Sequence, residues 1–207
     1  MRGAVVLAAA VLAGCAAGPI VPPRSPGNAA RAADELLVPS GFGSLRQDDI
    51  TLALDAGDLQ LKVTPLEEWV IRLTAPDTWS RLSALAVTSR PEVERRTGDP
   101  ASLFLVSFFS RVPGATFRPD DVELVNRGRR LRPVLIRPVT SGWGAQRLEP
   151  EEAQLAVYAF SADVDLEQPL LLEYGLETGS GWEEILRRLE AERSRARARA
   201  GLGGPER

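Results

Sequence analysis

The segment Leu103-Phe104-Leu105-Val106-Ser107-Phe108-Phe109 constrains the fold more than any other part of the chain. It is apolar at both alternating sets of positions for most of its length. A strand of that kind sits at the centre of a sheet and is covered on both faces, so a second layer has to exist. The chain can supply one: 207 residues, 44% of them apolar, make a core of ordinary single-domain size.

Other strands follow from alternation and turn chemistry. Ile50 to Leu54 and Leu59 to Val63 flank Asp55-Ala56-Gly57-Asp58, which predicts a hairpin. Val122 to Val125 and Leu131 to Val139 flank Asn126-Arg127-Gly128-Arg129, which predicts a second. Pro133 and Pro138 cannot donate to a ladder, so that returning strand belongs at an edge or carries a bulge. Leu155 to Phe160 and Leu170 to Tyr174 complete about seven short strands. The sum is a mainly β chain with an Ig-like antiparallel β-sandwich over residues 48–176.

Two helical regions interrupt or follow it. Thr64-Pro65-Leu66-Glu67 has the form of a capping box opening a short helix through Trp69, Val70 and Leu73. Pro76 opens a second helix with Trp79, Leu82, Leu85 and Ala86 on one stripe. The helical insertion is thus expected over about 65–89, with a charged loop from Pro91 to Pro100. A C-terminal helix is expected over 180–200, capped by Ser180 and Glu183. Its stripe Trp182, Ile185, Leu186 and Leu189 should dock, and its turns beyond Leu189 should fray. Trp69, Trp79 and Trp182 are read as core.

The first residues carry a different signal. Met1 and Arg2 precede an apolar run, Ala4 to Ala13, which is well short of the roughly 20 residues that span a bilayer. It reads as an export signal over residues 1–14. The run ends in Leu12-Ala13-Gly14-Cys15, which resembles the lipobox of bacterial lipoproteins. That resemblance implies cleavage after Gly14 and a diacylglyceryl group on Cys15, whose thiolate is the nucleophile that takes the lipid. Residues 15–47, broken by Pro19, Pro22, Pro23, Pro26 and Pro39, then read as the lipidated cysteine and a flexible linker. Ala16 replaces the aspartate that resembles an inner-membrane retention signal, which leans towards the periplasmic face of the outer membrane in a Gram-negative cell. The stretch Leu103 to Tyr174 is similar to the Ig-like domains of bacterial envelope lipoproteins. Together the two resemblances imply a lipid-anchored, extracytoplasmic binding or assembly module of the cell envelope, held to the membrane and contacting an envelope protein or polymer.

Composition narrows the chemistry. With no histidine and one cysteine, intrachain disulfides, His-dependent triads and Cys/His zinc sites are excluded. The net charge of −3 gives no global pull towards nucleic acid. No catalytic residue and no cofactor beyond the lipid on Cys15 are expected. Partner-binding candidates are Trp143, in Ser141-Gly142-Trp143-Gly144, and the run Arg193, Arg195, Arg197 and Arg199. An exposed indole can enter a partner's pocket, but the same tryptophan can equally fold back to cap the sandwich. The arginines suit an anionic surface, or else a solvated helix end where cations favour the negative pole of the dipole. Asp163, Asp165 and Glu167 offer oxygen ligands of the kind calcium takes, although an acidic turn explains them better. Two alternatives remain. One is an envelope hydrolase with paired carboxylates drawn from Asp120, Asp121, Glu149, Glu151 and Glu152. The other is an accessory subunit of a secretion or transport complex.

Overall fold

The computed structural model describes residues 38–162 and 164–201. Cys15, Gly14, the proposed signal segment, residues 16–37 and Asp163 lie outside them.

The described residues form eleven strands in antiparallel sheets, with helices on the margins. The larger sheet has the order β1 (Leu52–Ala56), β2 (Leu59–Pro65), β3 (Ala101–Ser110), β9 (Glu152–Ser161), β7 (Leu135–Pro138). The smaller has the order β11 (Glu177–Gly179), β10 (Leu170–Tyr174), β5 (Val122–Asn126), β6 (Arg129–Leu131). β4 (Ala115–Thr116) and β8 (Arg147–Leu148) pair apart from both. The expectation of a mainly β, sandwich-like chain with a helical insertion and a C-terminal helix is met. The number of strands is larger than seven because several last only two or three residues.

β3 is central, as its sequence demands, and is paired along its length with β2 and β9. Its inward face joins those of its neighbours: Leu61 opposes Phe108, and Phe104 opposes Tyr158. Phe108 meets Tyr174 of the smaller sheet edge-on at 5.7 Å. Its outer face, Leu103 and Leu105, is equally buried. There the second helix packs on β3, β9 and β7. The order of layers is therefore helix, five-stranded sheet, four-stranded sheet. One margin closes where β11 lies against β1. Gly179 is needed for that approach, since a Cβ there would stand 2.9 Å from the Ala53 carbonyl oxygen.

Among the described residues there are three α-helices: α1 (Glu68–Ile71), α2 (Pro76–Thr97) and α3 (Trp182–Arg199). Several boundaries differ from the sequence reading. Thr64 and Pro65 do not open a helix. They belong to β2, where the Thr64 hydroxyl lies 2.7 Å from that of Thr51. α2 does not stop before Pro91 but runs through it to Thr97. Pro91 is exposed, so the carbonyl that loses its donor faces water. Ser180 does not cap α3. The N-cap is Gly181 in a left-handed conformation, with no side-chain bond. The stretch after the Arg127–Gly128 turn is not one strand. Pairing with β5 ends at Leu131, and the chain crosses at Pro133 to form β7, an edge of the other sheet. Finally, folded structure begins by Val38, not near residue 48. Val38 is buried, and Leu45 donates to the Leu73 carbonyl at 3.1 Å.

Candidate functional site

The register gives the larger sheet two distinct ends. Ala56 pairs with Leu59, Leu59 with Ser110, and Ser110 with Glu152. The Gly57–Asp58 turn, the 111–114 loop and the turn at Glu149–Glu151 therefore share one end. Leu52, Pro65, Ala101 and Ser161 mark the other. The chain reaches that second end from Val38, through a 3-10 turn at Gln47–Ile50 that leads into β1. β10 starts after the loop following Ser161 and runs on to a turn at Gly175–Leu176. Leu176 there is fully exposed, and Val112 in the 111–114 loop is exposed as well. Beside it lies an open groove of about 400 Å³, lined by Asp55, Asp58, Gln60, Phe109, Arg111 and Val112 among others.

The end where the chain joins the fold is built on α3. Its stripe does not stop at Leu189. It continues through Glu192 and Ala196, both buried, so the helix stays docked to its last turn instead of fraying. Glu192 is a carboxylate at a core position, 1% exposed. One oxygen accepts the Ser44 N–H at 2.9 Å and the Ser44 hydroxyl at 2.8 Å, and also the Arg199 guanidinium. Arg199 in turn donates through Nε to the Phe42 carbonyl at 2.8 Å. Gly43 lies against the backbone of Leu73 so closely that a Cβ would stand 2.2 Å from its carbonyl carbon. Glu192, Ser44 and Phe42 escaped the sequence reading. The three- and four-residue spacing from Ile185 through Leu189 and Glu192 to Ala196 was the available signal.

This geometry divides the arginine run. Arg193 lies over the Trp69 ring at 5.4 Å and pairs with Glu190 at 3.0 Å. It lines a second groove, of about 360 Å³, with Trp69, Glu167, Leu186, Arg187 and Leu189. Arg199 is committed to the Phe42 carbonyl and Glu192. Arg197 also makes an internal interaction. Arg195 projects outward, its guanidinium 3.9 Å from the other Glu192 oxygen. The run is thus not a uniform solvated stripe.

Trp143 is not presented as an exposed indole but is folded back into the core. It is 6% exposed and packs edge-on against Phe117 at 5.0 Å, Phe108 at 5.8 Å and Tyr158 at 6.2 Å. The glycines around it left its direction open, and the aromatic cluster between the sheets decided it. Tyr158, in the same cluster, donates to the Pro119 carbonyl at 3.0 Å. Burial holds its phenol far above the ordinary tyrosine range, with the Asp120 charge acting the same way. Burial also raises Tyr174, opposed in part by the Arg118 N–H that donates to its oxygen.

Among the acidic candidates, Asp165, Asp121 and Glu152 are engaged in local structure. One Asp165 oxygen accepts the Glu167 N–H at 3.0 Å and the other pairs with Arg127, while Asn126 donates to the Asp165 carbonyl at 2.9 Å. This is a hydrogen-bonded turn, and no group of three or more possible metal ligands occurs among the described residues. Asp121 lies 3.8 Å from Arg118 in a short 3-10 turn with Asp120. Glu152 accepts the Glu149 N–H at 3.0 Å and pairs with Gln154, while Glu151 sits at the turn with a positive φ.

Fold and site together define a mainly β, sandwich-like protein with its C-terminal helix clasped to the point where the chain joins the fold. Comparison with protein-family models, with curated proteins and with solved structures finds no match to this chain.

Proposed function

We propose that this is a lipid-anchored, extracytoplasmic binding or assembly module of the bacterial cell envelope. Cys15 carries the diacylglyceryl group, Gly14 ends the cleaved signal, and the folded part stands on the periplasmic side, at the outer membrane in a Gram-negative cell. The observation that carries this reading is the polarity of the larger sheet. A chain arriving from Cys15 joins at one end, beside α3. The hairpin turns at Gly57–Asp58 and Gly175–Leu176 and the 111–114 loop lead away from it. A tether at one end leaves these loops, with Leu176 and Val112 uncovered, directed outward to an envelope protein or polymer. Among the described residues no helix is long and apolar enough to cross a membrane. Two acyl chains give stable attachment, at about 0.8 kcal/mol per buried methylene.

The test is metabolic labelling with a clickable palmitate analogue in a bacterial host. The wild-type chain is expected to take the label and to fractionate with membranes. Cys15→Ser should do neither. Absence of label from the wild type, or equal membrane recovery of both, overturns the anchor.

A further inference from the structure

The outer face of the larger sheet is covered along only part of its length. On β3, Leu103 and Leu105 lie buried where α2 packs, whereas Ser107 and Phe109 on the same face are half-buried. Gln60 stands opposite Phe109, and Leu59 opposite Ser110. One further step would set Asp58 against Arg111, two opposite charges that a longer ladder would bring together. The strands end there instead, at the Gly57–Asp58 turn and the 111–114 loop, and both residues line the groove of about 400 Å³. Among the described residues neither side chain has a hydrogen-bond or ion-pair partner. The neighbouring carboxylates are placed differently. Asp55 accepts the Gln60 side-chain N–H at 3.1 Å. Glu151 donates its backbone N–H to the Ser110 carbonyl at 2.9 Å, but it makes no ion pair with Arg111 and does not line the groove.

We propose that this groove binds a zwitterionic α-amino acid with an apolar side chain. Its carboxylate meets the Arg111 guanidinium, its ammonium meets the Asp58 carboxylate, and its side chain lies on Phe109 and Val112. The two unpaired signs select the ligand. A molecule with only a carboxylate gains Arg111 but is repelled by Asp58 and Asp55. One with only an ammonium gains the carboxylates but is repelled by Arg111. A zwitterion satisfies both rims and brings no net charge into the groove. The rims stand one register step past a paired position, which suits charges carried on one carbon and not on a long chain. A guanidinium presents a planar fork that matches a carboxylate. The volume lies in the range of small-molecule sites, and the half-buried Phe109 ring gives it an apolar wall. Both charged residues are exposed, so each charge contact is expected to strengthen binding by only about fivefold. The groove belongs to the described fold, so this site goes beyond the lipid-anchor reading and does not depend on it.

The test is an NMR titration of the full 207-residue chain in a neutral detergent, with L-leucine as the probe. It is run at about pH 6, where the amines of leucine and leucinamide are both charged. Leucine is expected to shift the amide resonances of Asp58 and Arg111 saturably. Leucinamide, which lacks the carboxylate, and N-acetylleucine, which lacks the ammonium, should each bind about fivefold more weakly. Arg111→Gln should weaken leucine by about fivefold and erase its advantage over leucinamide. Asp58→Asn should likewise erase its advantage over N-acetylleucine. Both substitutions fall at exposed positions outside the core, and the spectra of the unbound variants check that the fold is kept. Arg130→Gln, on β6 of the other sheet, should leave binding unchanged. No saturable shift with leucine, no advantage over either derivative, an advantage that survives the matching variant, or an equal loss in Arg130→Gln overturns the proposal. Palmitate labelling reads Cys15 and this titration reads the groove, so the failure of one is distinguishable from the failure of the other.

Discussion

Two buried polar side chains set the behaviour of this molecule at the scale of single residues. Glu192 serves three donors with one oxygen, and a buried acceptor that is removed leaves each of them unsatisfied. Glu192→Ala is expected to destabilise by about 3 kcal/mol. Glu192→Gln keeps an acceptor oxygen and should cost roughly half as much. Urea unfolding of the two variants checks the order. Tyr158 gives the pH dependence. Its folded pKa lies above its unfolded value of 10.0, so above that pH the unfolded state releases a proton that the folded state keeps. Stability from this group is complete below pH 10.0 and falls as pH rises beyond it. Tyr158→Phe should cost about 1 kcal/mol at neutral pH through the lost bond to Pro119, and should flatten the alkaline decline. Thermal melting across pH 7 to about 11 measures both, and an equally steep decline in the variant would refute the assignment.

Among the elements, what was legible in the sequence was whatever local chemistry alone decides. Both expected hairpins form on two-residue turns, but with shifted bounds: Asp55 and Ala56 belong to β1 while Ile50 lies in the 3-10 turn before it, and the strand returning from Arg127–Gly128 is Arg129–Leu131. β3 is central because its residues leave it no polar face. Propensity misled where packing overrode it. Pro91 marks a helix end by local rules, yet α2 continues because Ser89 and Val93 on either side of it are buried. Arg137 of β7 reinforces this by pairing with Glu92 at 2.9 Å. Proline in a helix interior costs about 3 kcal/mol, offset in part by the less flexible unfolded chain. Pro91→Ala is therefore expected to stabilise the protein by about 1–2 kcal/mol, read as a raised melting temperature. A fall would mean that the ring itself is packed. The crossing at Pro133 was half legible. The prolines forbade a central strand, but only the partner strands fix which sheet each half joins.

For the whole molecule, the sequence by itself determined the class of architecture: two antiparallel layers, a helical insertion and a docked terminal helix. Alternation, apolar runs and turn residues encode which faces must leave water, and each acts over a few neighbours. Tertiary structure alone decided the direction of Trp143, the division of the arginines between internal ties and outward groups, and the clasp of Ser44 to Glu192. Those residues are separated by 148 positions. A contact over that distance depends on where whole layers come to rest, and no spacing rule within one segment specifies it. The polarity of the sheet, with the chain joining at one end and the hairpin turns leading from the other, is of the same kind. It follows from the register of strands far apart in sequence, which the need to bury one face of each sheet against the other selects.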